Sequence, residues 1–489
     1  MFEQRGVPVE ARWSIICGKN DEFHLRAAEL LIEGLSEYIS EYTLEVRFSF
    51  EAKPKGNLIL LGTVDSNPII REYAGETILR QQGYLLKVFH SADTGNRQIV
   101  IIQGKDNKGM LYGCVDFLYQ YLPKADYDFT LQPQCYIHRL LDSRCGEPKA
   151  MLLPETEVVS APEIEHRGIW SWGHVIYNYR GFLDNMLKLK MNEVIVWNDY
   201  KPLNGKEFVD YAHRNGIEVI WGFSWAWGVD IDISKPGEME KWKDIVIAQY
   251  RDLYADMNGD GVYFQTFTET NDDLKDGLVI AEEAVRWVNY IADELLKQYP
   301  TLHIQFGLHA TSVAHRMDVI AQTDPRVEII WEDCGAFPYA YSSKQIEDFD
   351  RTVDFTEQMI QQRENCRCGA VLKGMMRLDW INFEYKTGPF ILGCSGENFR
   401  KKRTAYQKRY WHYIQCDWLV NGDYCRQILK QLADGCEGRT NVTFLVEDGL
   451  FDEAIWYPVA LAAEMLWDPG KTTSELTQLA ARRQDVVFA

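Results

Sequence analysis

From His166 to Val446 the chain alternates short apolar runs with longer segments of helical spacing, eight times over. The runs cover residues 168–172, 193–197, 218–223, 262–267, 303–308, 327–331, 370–375 and 442–446. Between them, segments such as 181–189, 207–215, 242–257 and 278–299 place apolar residues three and four apart, and residues 454–467 end the series. A run that is apolar along its whole length belongs to a strand covered on both faces, and strands separated by helices pair in parallel. Eight such units predict an α/β chain whose strands close into a (β/α)8 TIM barrel over residues 166–489.

The first 125 residues do not share this alternation. A helical stretch precedes the run NLILLGT from Asn57, two further strand-like runs begin at Gly83 and Gln98, and residues 108–121 return to helical spacing. This pattern predicts a smaller α+β domain over residues 1–125. Residues 126–165 are irregular, with Pro and acidic groups, and read as the linker.

In a (β/α)8 barrel the residues just past the C-terminal end of each strand line the mouth, where the chemistry takes place. Here those positions are polar and aromatic together. Trp172 and His174 follow the first strand, Trp197, Asn198 and Asp199 the second, Trp225 and Trp227 the third. Glu269, Asn271 and Asp272 follow the fourth, His309 the fifth, Trp331, Glu332 and Asp333 the sixth, Arg377 and Asp379 the seventh. Flat rings beside hydrogen-bonding groups suit a sugar, whose faces are apolar and whose rim is hydroxyl. A small carbohydrate is therefore the expected partner, stacked on the Trp rings and hydrogen-bonded by Asn198, Asp199, His309 and Arg377. Cleaving a glycosidic bond takes two carboxyl groups, an acid for the leaving oxygen and a partner across the sugar. Glu269 is the expected acid, because Phe264 and Phe267 beside it would raise a carboxyl pKa.

Three stretches carry a family resemblance. The runs NLILLGT from Asn57, GYLLKVFH from Gly83 and QIVIIQGKDNKGMLYGCVDFLYQYL from Gln98 resemble the accessory domain ahead of the barrel in alpha-glucuronidases and beta-hexosaminidases. The run VYFQTFTETNDD from Val262, followed by IAEEAVRWVNYIADEL from Ile280, resembles the fourth-strand region of alpha-glucuronidases. The run AIWYPVALAAEMLWDP from Ala454 resembles the last barrel helix of beta-hexosaminidase-like enzymes. The resemblance implies a glycoside hydrolase with Glu269 as general acid and with Asp333 and Asp379 as the carboxylates that activate a water on the opposite face. Beta-hexosaminidases carry an Asp-Glu pair after that strand, whereas this chain has Thr268-Glu269, which directs the expectation to a separate base and an inverted product. A separation of about 6.5–9.5 Å between the carboxyl groups means inversion and one near about 5 Å retention. A retaining beta-N-acetylhexosaminidase-like enzyme and a catalytically inactive sugar-binding barrel are the alternatives.

Charge and motifs narrow the remaining classes. A formal net charge of −20 argues against nucleic acid or an anionic membrane surface as partner. No apolar run is long enough to span a bilayer, and the start MFEQRGVPVEARW lacks the apolar segment of a secretion signal. With 11 scattered Cys, this predicts a cytoplasmic protein. No glycine-rich nucleotide loop occurs, so no cofactor is expected. Residues 256–261 begin like a calcium loop but place Phe267 at the twelfth position, and Cys366 with Cys368 has no second pair, so no metal is expected either. Analogy with other barrels suggests a homodimer.

Overall fold

The computed structural model describes residues 9–36, 38–39, 43–48, 54–75, 77–91, 97–125, 151–171, 176–197, 200–332, 348–364, 367–375, 396–446, 455–483 and 485–487. The chain divides into two compact units, one of Met1–Pro162 with Arg214–Gly216 and one of Glu163–His213 with Ile217–Ala489.

The first unit contains β1 (Trp13–Cys17), α1 (Glu22–Leu35), β2 (Leu44–Arg47), β3 (Asn57–Gly62), α2 (Pro68–Ala74), β4 (Tyr84–Ser91), β5 (Arg97–Gly104), α3 (Asn107–Asp116) and β6 (Thr156–Ser160). Its sheet runs in the order β2-β1-β3-β5-β4-β6. The first four strands are parallel, and β4 is antiparallel to both β5 and β6. β1, β3 and β5 are buried along their whole length, as parallel strands covered on both faces must be. The domain is thus an α/β sheet with an antiparallel edge. Thr156–Ser160, expected within the linker, is a strand of this sheet: Leu86 of β4 pairs with Val158. An edge strand buries only part of itself, so it shows no continuous apolar run by which to find it.

The second unit alternates β7 (His166–Ser171), α4 (Tyr179–Lys188), β8 (Glu193–Trp197), α5 (Gly205–Arg214), β9 (Glu218–Ser224), α6 (Glu238–Leu253), β10 (Gly261–Gln265) and α7 (Ile280–Gln298). It continues with β11 (His303–His309), β12 (Val327–Glu332), α8 (Phe349–Gln361), β13 (Cys368–Met375), α9 (Glu397–Gly435), β14 (Thr440–Val446) and α10 (Tyr457–Trp467). The eight strands form a closed barrel in chain order, all parallel, and β14 closes on β7 from Asn441 opposite His166 to Leu445 opposite Trp170. The expected (β/α)8 barrel is present, with the smaller domain ahead of it in sequence. Helices cover it by amphipathic stripes: in α7 the buried set includes Ile280, Ala284, Trp287, Val288, Ile291 and Leu295, three and four residues apart. Among the described residues, no helix is long and apolar enough to cross a membrane.

Successive strand residues point to opposite faces. Trp170, Ile195, Ile220, Tyr263, Ile330, Val371 and Leu445 pack together inside the barrel. Their neighbours Ile169, Val194, Val219, Phe264, Ile329, Trp331 and Phe444 pack into the core beneath the helices. This alternation decides which residues at the strand ends face the lumen.

Candidate active site

Inward-facing residues at the C-terminal ends of β10–β13 build one charged cluster. Glu332, the last residue of β12, is fully buried. It accepts hydrogen bonds from Tyr263 Oη at 2.6 Å and from Gln265 Nε2, both on β10. β12 does not pair with β10, so these groups meet across the lumen. Lys373 Nζ of β13 lies 3.2 Å and His309 Nε2 of β11 lies 3.4 Å from the second oxygen, Oε2. Burial alone would raise this carboxyl, but the charges of His309 and Lys373, with the two hydrogen bonds, outweigh it and hold the group at about 2. Gly307 on β11 leaves the space Tyr263 needs: a Cβ there would stand 2.2 Å from the phenol oxygen.

Glu269 stands above this cluster. His309 Nε2 is 3.7 Å from its Oε1, and Trp227 Nε1 donates to its Oε2 at 2.5 Å. Its side chain is 51% exposed, so solvent and ligand can reach it, unlike the buried Glu332. Measured through His309, the nearer oxygens of Glu269 and Glu332 are within about 7 Å, but burial makes Glu332 unavailable as the second carboxyl across a sugar. Ser312 Oγ donates to the Thr268 carbonyl at 2.5 Å and fixes the backbone beside Glu269. Ala226 takes a left-handed φ of 70°, a conformation that costs a non-glycine residue roughly 1 kcal/mol or more. The turn is held by Ser224 Oγ, which donates to the Trp227 carbonyl at 2.7 Å, and it carries the Trp227 ring over Trp197, edge-on at 5.6 Å.

A cavity of about 330 Å³ opens beside Glu269, between the loops that follow β9 and β10. Trp227, Val229, Asp272, Leu274 and Lys275 line it with Glu269. The second loop is stiffened by a small antiparallel ladder, Leu274–Lys275 with Leu278–Val279, turned by Asp276 and Gly277 at φ 54° and 79°. Positive φ at both turn residues suits the twist of a two-residue hairpin. Asp276 Oδ2 also accepts from Ile233 N at 2.9 Å, which joins the two loops.

Of the residues expected at the mouth, Glu269, Trp227 and His309 come together, and Asn271 and Asp272 lie exposed beside them. Trp197 is buried in the lumen beneath Trp227. Trp225 and Trp331 do not face the mouth. Trp225 stacks on Phe264 at 3.6 Å, Trp331 packs edge-on against Phe355 of α8 at 5.3 Å, and neither ring has a free face for a sugar. Glu332, expected as a sugar ligand, is instead surrounded by protein groups. The apolar surround expected for Glu269 does not form either: Phe264 lies between Trp225 and Phe306, and Phe267 packs on Trp287. Trp172, His174, Asn198, Asp199, Asp333, Arg377 and Asp379 lie outside the described residues. Sequence reasoning did not find Tyr263, Gln265 and Lys373, whose signal is a polar group at an inward position of an apolar strand.

Fold and site together define a (β/α)8 barrel with an exposed carboxylate past its fourth strand. Residues 15–117, in the domain ahead of it, match the family model described as the glycosyl hydrolase family 67 N-terminus. The chain therefore has the organisation of a glycoside hydrolase, an accessory domain of that kind followed by a TIM barrel. No curated protein sequence matches the chain. Among solved structures, a beta-N-acetylhexosaminidase from Bacteroides fragilis NCTC 9343 is 12% identical at a TM-score of 0.43, with 77% of this chain and 75% of that one covered. A GH138 enzyme targeting pectin rhamnogalacturonan II is 12% identical at a TM-score of 0.47, with 95% of this chain and 52% of that one covered, so this chain spans about half its length. A chitobiase from Flavobacterium johnsoniae is 11% identical at a TM-score of 0.46, with 96% and 71% covered.

Proposed function

We propose that this chain hydrolyses the glycosidic bond of a small oligosaccharide or glycoside, with Glu269 as the general acid. The observation that carries this reading is the place of Glu269: exposed at the barrel mouth, past the fourth strand, held by Trp227 and His309 and open to a cavity of about 330 Å³. That volume lies in the range of small-molecule pockets. Glu269 delivers its proton to the glycosidic oxygen as the bond to the anomeric carbon breaks, and a water activated by a second carboxylate attacks that carbon from the other face. Asp333 and Asp379 are the proposed base. Thr268 in place of an Asp before Glu269 supports a separate base over assistance by the substrate's own acetamido group, and hence an inverted product. Glu332 and Lys373 act beneath as positioning residues that orient His309. In this reading the enzyme works in the cytoplasm on fragments rather than polymers.

The test is a panel of aryl glycosides and uronosides, with the first-formed anomer followed by NMR. Wild-type protein is expected to turn over at least one of them with inversion. Glu269→Gln is expected to lose about 10²–10⁴-fold on substrates with poor leaving groups. Wild-type rates in Glu269→Gln would remove Glu269 from the acid role, and a retained anomer would remove the separate base.

A further inference from the structure

The opposite end of the same barrel holds a polar cluster that the proposed chemistry does not use. His166, Glu193 and Glu218 open β7, β8 and β9, three consecutive strands. Their side chains converge at the floor of the lumen, where His166 Nδ1 lies 3.4 Å from Glu193 Oε2 and 3.9 Å from Glu218 Oε2. Gln305 Nε2 of β11 and Asn441 Nδ2 of β14 each donate to Glu193 at 3.0 Å, and Asn441 Nδ2 also stands 3.4 Å from Glu328 Oε2.

Donors run short at that point. His166 Nδ1 has no hydrogen-bond partner although its side chain is only 8% exposed, and Glu328 Oε1 and Gln305 Oε1 are buried without one. A carboxylate and an amide oxygen can only accept, and a neutral imidazole nitrogen accepts in one of its tautomers. Buried polar atoms are almost always satisfied, so this floor lacks a positive centre rather than a further acceptor. Among the described residues there, the fixed positive charge is Arg367, which pairs with Glu165 at 3.1 Å and stands 3.9 Å from Glu328. His303 faces Glu218 at 3.5 Å from outside the trio.

We propose that His166 Nδ1, Glu193 and Glu218 form a binding site for one divalent cation of the zinc or manganese class, which ties the first three barrel strands together at their N-terminal ends. The three ligand atoms already lie within 4.8 Å of one another, and the His166–Glu193 contact is 3.4 Å. Tetrahedral zinc with bonds of about 2.0–2.1 Å holds its ligands about 3.3 Å apart, so only Glu218 has to move inward. An imidazole with two carboxylates selects such a cation over calcium or magnesium, which favour oxygen alone. Gln305 and Asn441 orient Glu193 as outer partners orient a ligating carboxylate. The layer of Trp170, Ile195, Ile220, Tyr263 and Ile330 lies above the floor, so the cation acts on the fold and not on the reaction.

The test uses the full chain after dialysis against a chelator. Mn²⁺ is titrated and followed by electron paramagnetic resonance, and Zn²⁺ is titrated by calorimetry, each with a thermal melt. One ion per chain should bind, Zn²⁺ should displace Mn²⁺, and Tm should rise. Glu218→Gln, at a side chain 21% exposed that leaves the buried ligands in place, should weaken binding by about tenfold or more, as should His166→Gln. Glu269→Gln should leave binding unchanged. Zinc held by thiols would survive Glu218→Gln, and manganese held at the mouth would be lost in Glu269→Gln. Either outcome, or no one-to-one binding, overturns the proposal.

Discussion

The two ends of one barrel solve the same electrostatic problem differently. At the mouth a single buried carboxylate, Glu332, faces Lys373 and His309 and accepts from Tyr263 and Gln265. At the floor three carboxylates, Glu193, Glu218 and Glu328, stand near one Arg367 that Glu165 already engages. Both sets lie inside the barrel because the same period of two puts them there. A buried charge is tolerable when it is paired, and the mouth sets the Lys373 ammonium and the His309 imidazole against its one buried carboxylate. Glu269, by contrast, is exposed at the mouth, with Asp272 exposed beside it. The floor has acceptors to spare, which is what a cation site requires.

The largest expected effect would break this comparison directly. Lys373→Met takes the ammonium away from buried Glu332 and should lower unfolding stability in urea by about 3–5 kcal/mol. Glu218→Gln in metal-free protein removes a like charge from the crowded floor and should change stability by less than about 1 kcal/mol, or raise it. Equal losses in the two variants would mean that mouth and floor are balanced alike. Gly307→Ala pushes against Tyr263 and should cost about 1–3 kcal/mol in the same assay, with the phenol shifted away from Glu332 in a crystal structure.

Smaller effects sharpen the picture. Trp227→Phe keeps a ring but loses the N–H donated to Glu269, and kcat/KM on an aryl glycoside should fall about tenfold, or ~1.4 kcal/mol, with Tm nearly unchanged. Trp225→Phe, in the covered layer, should do the reverse. The pH profile of the urea midpoint should decline on both sides. Glu332 sits at about 2 when folded, below the value of about 4.3 for an unfolded Glu, so its contribution is complete above the unfolded value and is lost as pH falls through the folded one. His213, raised by its hydrogen bond to Asp260 at the floor end of β10, contributes fully below about pH 6.5, and that contribution is lost as pH rises through its folded value. Glu332→Gln should flatten the acid limb and His213→Gln the alkaline one.

The barrel strands could be read from the sequence because burial on both faces leaves them apolar throughout, as in Val194, Ile195 and Val196. Glu269 was legible for a related reason, since the end of an apolar run marks the mouth. Trp331 and Glu332 were not separable in that way. They are consecutive and polar or aromatic past an apolar run, yet one faces α8 and the other the lumen. Lys373 lies inside its run, where a search of strand ends does not look. β6 was hidden because an edge strand has no need of apolar residues on both faces.

The amino-acid sequence by itself determined the eightfold alternation, hence the barrel, and the kinds of side chain available at each strand end. Those follow from local periodicity and burial, which every short window reports. Tertiary structure alone decided which of them meet. Tyr263 reaches Glu332 across 69 residues and Asn441 reaches Glu193 across 248, through a lumen that exists only once β14 has closed on β7. The completed charge cluster at the mouth and the acceptor-rich floor are consequences of that closure and its register, which no window of the chain contains.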